Sequence, residues 1–412
     1  MKVAIIGGSS FSTPSLLRFL DQREDRDRIE VTLAGRSQQK LDAVTRAAEL
    51  IVSENLQFRA REITGDTWGQ ILEGADCVLV QIRVGGFEGR LFDETFPHNF
   101  GMCGDEGLGV GGLAAGWRTW PVLTSILDAI AKFAPHTLVV MLTSPVGLLV
   151  RASLAHANLN VVGICELPWT TLQNLSRAAN RHPTDLKADY FGLNHLGWFF
   201  NIRSGSVDLI DELANAAGED SFPTATFLRT HRCLPTPYLR LHYETRQVLA
   251  EQMSQAMPRA AILKNLRDEA YGVYAAGDAG DITSVLERRA TPWYSQAVGP
   301  LLLAIAGQRT EVPFFLSAPH GFASFLDEPT DVVETAYRCI DGQLLRLPLS
   351  GAVPEHIAQN VRPFVQFERT ATEAIMHHSI SLLFKALSLH PWARDNSDLR
   401  SIAHDIAAQK AP

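Results

Sequence analysis

In the first part of the chain, apolar residues gather in short continuous runs that end in glycine, proline or a polar turn. "VAIIG" (3–7), "IEVTLAG" (29–35), "ADCVLVQI" (75–82), "TLVVMLTSP" (137–145) and "LNVVGIC" (159–165) read as strands buried on both faces, which lack the alternation of a half-exposed sheet. Between them, apolar positions fall at helical spacing: "TPSLLRFL", with Thr13 as N-cap and Pro14 opening the helix, then "SQQKLDAVTRAAELIV", residues 117–134, and "VGLLVRASLAHA". This alternation predicts an α/β fold, a Rossmann-like doubly wound parallel sheet. The pattern changes near residues 170–190. Beyond it, helices dominate at 238–257, 258–270, 294–307 and 363–389, with strands at 191–203 and 331–340. The expected organisation is two domains, 1–170 and an α-rich (α+β) 171–412, with a cleft at the carboxyl ends of the parallel strands.

Composition changes this picture little. At 412 residues the chain exceeds one ordinary core, and 46% apolar with 20% charged residues is a normal globular balance. A formal net charge of −8 argues against nucleic acid or an anionic membrane as partner. No apolar run of about 18 residues suggests a transmembrane helix. The chain opens directly on a strand without the features of a leader, which leads to an expected cytoplasmic location. The five cysteines (77, 103, 165, 233 and 339) contain no CxxC pair and do not read as a disulfide framework.

The first chemical motif follows the first strand. Gly7, Gly8, Ser9, Ser10, Phe11 and Ser12 occupy the place of a dinucleotide-binding turn, with a helix N-terminus behind it to face a pyrophosphate. Gly7 fits the first fingerprint glycine, while Ser9 and Ser12 replace the other two. The acid that usually ends the second strand and binds a ribose is missing. Arg36 follows Gly35 instead, so NADP and NAD both stand as cofactors. Further on, Arg83 and Arg90 flank a glycine turn suited to an anionic group. "GMCGDEGLGVGG" suggests a loop close to a ligand, with Asp105 and Glu106 as cleft carboxylates. Cys165 at a strand end and His195 in "NHLGW" are a thiolate and an imidazole that together suit a divalent transition metal, with substrate completing its shell. Tyr238 in "LPTPYLRLHY" becomes a base if a nearby cation lowers its pKa.

Taken together and in order, these segments resemble the NAD- and metal-dependent glycoside hydrolases of family 4, an exception to two-carboxylate glycosidase chemistry. The resemblance rests on "GGSSFSTPSL", "RVGGFEGR", "TSPVG", "GICELP", "GLNH", "LPTPYLRLHY" and "RRATPWYSQAV", and it runs from residue 1 to about 391. Pro168, three residues after Cys165, is similar to the 6-phospho-β-glucoside branch. The resemblance implies Mn²⁺ on Cys165 and His195, and Tyr238 as the base at C2 of the sugar. It also implies Glu106 as a polar cleft residue, Arg90 and Arg289 on a substrate phosphate, and a homodimer or homotetramer. Asn194 and Glu166 join as substrate-side positions and Ser144 as a cofactor-side one. The implied chemistry is oxidation at C3, proton removal at C2, elimination, hydration and return of the hydride.

Ser144, Glu166 and Gln296 stand where the family has asparagine, asparagine and aspartate, so the positions reading substrate have changed while those for metal and base remain. A non-phosphorylated glycoside is therefore an alternative substrate. An NAD(P)-dependent dehydrogenase of a sugar or 2-hydroxy acid and a non-catalytic sugar or nucleotide sensor are the competing functions.

Overall fold

The structure is a computed structural model that describes residues 1–24, 28–220 and 222–409. Its strands are β1 (Lys2–Ile6), β2 (Glu30–Gly35), β3 (Gln57–Glu62), β4 (Cys77–Val80), β5 (Leu138–Met141), β6 (Asn160–Ile164), β7 (Leu186–Leu193), β8 (Leu196–Ser204), β9 (Val207–Asp208), β10 (Cys233–Pro235), β11 (Phe314–Pro319), β12 (Val332–Ile340) and β13 (Gln343–Arg346). All belong to one sheet. The order β3-β2-β1-β4-β5-β6 is parallel and is that of a doubly wound dinucleotide-binding sheet. Beyond β6 the same sheet continues antiparallel through β11, β12, β7, β8 and β10.

The apolar runs form strands because both faces are covered. Val3, Ile5, Leu33, Cys77 and Leu79 pack into one core with helices Thr13–Asp21, Gln38–Ile51 and Arg259–Ala276. Their neighbours Ala4, Ile6, Ala34, Val78 and Val80 pack into the other, with helices Val110–Phe133, Val146–His156 and Glu355–His377. Among the described residues no helix is long and apolar enough to cross a membrane. All five cysteines are buried and free.

Several expectations are corrected. The N-cap of the first helix is Ser12 rather than Thr13, and its side chain makes no capping bond. Strand β3 lies between the expected second and third strands. It is a polar edge strand, "QFRARE", which carries no apolar run to announce it. The helix expected at 238–257 is a 3₁₀ turn (Pro237–Leu239) and two short helices (Arg240–Tyr243 and Thr245–Ser254). That expected at 363–389 begins at Glu355 and breaks at His378, which adopts a left-handed conformation.

The C-terminal segment is tied to the site's loop through His390. This fully buried ring donates from Nε2 to the Leu108 carbonyl (2.8 Å) and accepts at Nδ1 from the Trp392 amide (3.0 Å). Both nitrogens are used by the neutral form. Burial lowers the pKa to about 4, against about 6.5 for an exposed histidine. Between these values the unfolded chain binds the extra proton and the native one does not. Stability therefore rises with pH across this window and is lost as pH falls from about 6.5 to about 4, by about 3 kcal/mol. Urea unfolding of wild type and His390→Gln at pH 7 and pH 4.5 checks this. The variant is expected to be weaker at pH 7 but flatter with pH, and parallel losses in the two proteins would exclude His390 as the cause.

Candidate active site

The turn after β1 holds its shape for reasons visible in the backbone. Gly7 has φ +92°, and a Cβ on it would lie 2.8 Å from the carbonyl oxygen of Gln81, at the end of β4. Gly8 is not on the cavity wall. It faces the sheet, where a Cβ would lie 2.9 Å from Leu33 Cα, so its place in the motif serves packing rather than a ligand. Ser9 occupies the second fingerprint position because the room has been given up elsewhere: a Cβ on Gly35 would lie 2.6 Å from Ser9 Oγ. Tyr271 donates to the Ser9 carbonyl (2.6 Å), Tyr274 to that of Phe11, and Gln81 Nε2 to that of Gly7 (3.3 Å). These three clamps escaped the sequence reading, although Tyr271 and Tyr274 share one helix face at i, i+3.

A cavity of about 880 Å³ opens over this turn at the carboxyl ends of β1, β4, β5 and β6. Ser9, Ser10, Phe11, Ser12, exposed Arg36 and Ser144 line one part, and Cys165, Glu166, His195 and Tyr238 line another. Residues far apart in sequence thus share one chamber. His195 has φ +68° in the tight turn between β7 and β8, and its ring lies 4.2 Å from that of Tyr238, tilted by 31°. Its Nδ1 is buried without a hydrogen-bond partner, against Gly107. Cys165 Sγ contacts Glu166 Oε2 at 3.5 Å, and burial, then the charges of Glu166 and Glu334, push its thiol pKa well up. A buried imidazole nitrogen without a partner and a buried thiol beside the Glu166 carboxylate form a donor set that fits a divalent cation. Among the described residues no three His, Cys, Asp or Glu side chains form a ready metal cage, so two protein ligands leave the rest of a shell to water and substrate. Tyr238 is 39% exposed on the cavity wall. Desolvation raises its phenol pKa, the charges of Asp105 and Glu106 add to this, and Arg90 opposes it without reversing it, so the lowering by a cation expected of a tyrosine base is not supplied by the protein's own charges.

The arginines divide into two groups. Arg83 and Arg90 both pair with Glu106, Arg90 at 3.1 Å, and Arg90 also pairs with Glu94 at 2.6 Å. Burial raises the Glu106 pKa, but Arg83 and Arg90 outweigh it and hold the group at about 2, so Glu106 is a fixed negative charge rather than a proton carrier. Arg289 is different. Its Nε has no partner, its guanidinium lies 4.4 Å over the Trp293 ring, and burial followed by Arg259, Arg90 and Arg83 lowers its pKa to about 10. Arg259 also lines the cavity and, among the described residues, is in no ion pair.

Two family models match adjoining stretches of this chain: family 4 glycosyl hydrolase over residues 2–181, and the family 4 glycosyl hydrolase C-terminal domain over residues 190–393. The chain belongs to glycosyl hydrolase family 4. This family 4 member is 27% identical to the 6-phospho-beta-glucosidase BglT of Thermotoga maritima over 420 residues, covering 98% of this chain and 97% of that one. It is 23% identical to a 6-phospho-alpha-glucosidase of Leptotrichia buccalis over 432 residues, covering 98% and 96%. A solved structure of the Thermotoga maritima 6-phospho-beta glucosidase with manganese, NAD⁺ and glucose-6-phosphate has a TM-score of 0.84 to it at 23% identity, covering 98% and 97%.

Against that background, further expected positions in this glycosyl hydrolase serve the scaffold. Asn194 does not line the cavity; it donates to buried Glu334 at 3.1 Å. The glycine-rich 104–112 loop is shaped mainly by backbone packing rather than by a ligand, since a Cβ on Gly104 would lie 1.8 Å from the Glu94 carbonyl oxygen. Asp105 is structural too, accepting at one oxygen from the amides of Gly107, Leu108 and Gly109. Arg259 and Glu334 were not foreseen; Arg259 follows a proline at a helix start and Glu334 sits in an apolar strand, and neither context signals a site.

Proposed function

We propose that this family 4 glycosyl hydrolase cleaves 6-phospho-β-glucosides, with NAD at the Gly7–Ser12 turn and Mn²⁺ or a similar ion on Cys165 and His195. The observation that carries the reading is the contact of His195 with Tyr238 at 4.2 Å inside the chamber that also holds the dinucleotide turn. Bound there, the cofactor supplies reversible hydride acceptance and the ion supplies Lewis acidity. Tyr238 takes the proton from C2 of the sugar. Arg90 is held in place by Glu94 and Glu106, while Arg259 and Arg289 have charge free for the phosphate. Ser144 takes the nicotinamide side and Glu166 the sugar side. Arg36 keeps NADP open as an alternative cofactor. The reading carries with it the homodimer or homotetramer and the cytoplasmic location expected above.

The relatives named for 6-phosphoglucosidase activity support the phosphate. Glu166 favours a second reading, a non-phosphorylated glycoside, because it adds a negative charge to the chamber. Turnover of aryl glycosides, phosphorylated and not, with Mn²⁺ and NAD or NADP in D₂O tests both. Deuterium at C2 of the released sugar without net reduced cofactor is the expected result. Net NAD(P)H would instead identify a dehydrogenase, and faster turnover of the non-phosphorylated series would favour the second reading.

A further inference from the structure

Glu334 is fully buried, and its carboxylate has no cationic partner among the described residues. Its contacts are neutral: Tyr190 Oη at 2.7 Å, Asn194 Nδ2 at 3.1 Å and, more distantly, Ser317 Oγ at 3.5 Å. Burying a carboxylate against neutral donors is expensive, and an apolar residue would fill a central strand more cheaply. Its location gives it a use. On β12 it stands opposite Gly192 of β7 and Ser317 of β11. Ser317 in turn stands opposite Gly163, two residues before Cys165, and Gly192 lies three residues before His195. One carboxylate therefore sits between the strand that delivers Cys165 and the strand that delivers His195.

The link to His195 is short. Asn194 and His195 alone connect Leu193 to Leu196, which are paired across the hairpin. His195 is in the left-handed region, which is strained for a non-glycine residue. The Asn194 side chain is tied down by Glu334, and the next ring rests on Tyr238.

We propose that Glu334 is a positioning residue, which through Asn194 fixes the turn that presents His195 to the metal and to Tyr238. It touches neither substrate nor cofactor. Groups that orient a metal ligand typically set metal affinity by about 10- to 100-fold, and Glu334 would do so at one remove, through Asn194. This inference rests on the metal reading given above, and the test separates the two.

Free Mn²⁺ is titrated by electron paramagnetic resonance into wild type, Cys165→Ala, Glu334→Gln, Asn194→Ala and the Glu334→Gln/Asn194→Ala double variant, each without substrate, with melting temperature and NAD affinity measured alongside. Glu334→Gln and Asn194→Ala are each expected to weaken Mn²⁺ binding by about tenfold or more. The double variant should be little worse than Asn194→Ala alone, since Glu334→Gln, which leaves only a neutral acceptor, weakens the same link that Asn194→Ala removes. NAD affinity should be unchanged. Wild-type Mn²⁺ affinity in folded Glu334→Gln, or additive losses in the double variant, would overturn the inference. Should Glu334→Gln fail to fold, normal Mn²⁺ affinity in Asn194→Ala would overturn it in the same way. Wild-type binding in Cys165→Ala, or no binding by wild type, would instead bring down the metal reading and this inference with it.

Discussion

Replacing Tyr238 with phenylalanine is expected to lower kcat on an aryl 6-phospho-β-glucoside by about 10²- to 10⁴-fold, the range for loss of a positioned proton-transfer group. The ring, and with it the packing on His195 at 4.2 Å, is kept; only the hydroxyl goes. NAD and Mn²⁺ affinities should therefore hold while exchange of deuterium into C2 stops. Steady-state rates with NMR of the released sugar check this. Activity within tenfold of wild type would remove Tyr238 from the role of base. Glu106, held ionised at about 2 by Arg83 and Arg90, could not take its place as a proton carrier near neutral pH.

The second large effect concerns charge. Arg289→Gln and Arg259→Gln should each raise KM for the phosphorylated substrate by about 10- to 100-fold, as expected for one charge-assisted bond of about 1.5–3 kcal/mol. For the matching non-phosphorylated glucoside, KM should stay level or fall. The same substitutions should raise the melting temperature of the ligand-free protein, because Arg289 is desolvated and repelled by Arg259, Arg90 and Arg83. The ratio of kcat/KM for the two substrates is the decisive measurement. Equal losses on both would assign these arginines to holding the chamber's shape rather than to a phosphate.

The parallel half was legible because its strands are buried on both faces and so read as unbroken apolar runs, as "VAIIG" and "CVLV" do. β3 was not, because an edge strand with polar side chains lacks that signal. β11, "FFLSAP", is a short run between prolines with little strand signal, although it is the strand that joins the parallel and antiparallel parts. The candidate chemistry was legible as residue types in order. Their meeting was not: Cys165, His195 and Tyr238 share a wall only through pairings that sequence spacing does not encode. Gly8 and Asn194 show the converse error. Both belong to motifs that point to ligands, yet the backbone uses one against the sheet and a buried carboxylate uses the other.

The junction of β6 with β11 has a consequence for how the chain is made. During synthesis the outer edge of β6 stays uncovered until Phe314–Pro319 emerges, about 150 residues later. Through all that time Val161, Val162 and Ile164 border a row of unpaired amides and carbonyls, the kind of edge that recruits strands from other chains. Until β11 is made, the nascent protein thus carries an edge open to pairing with its neighbours. A host that produces it at speed should find its losses in partly made chains rather than in the finished enzyme.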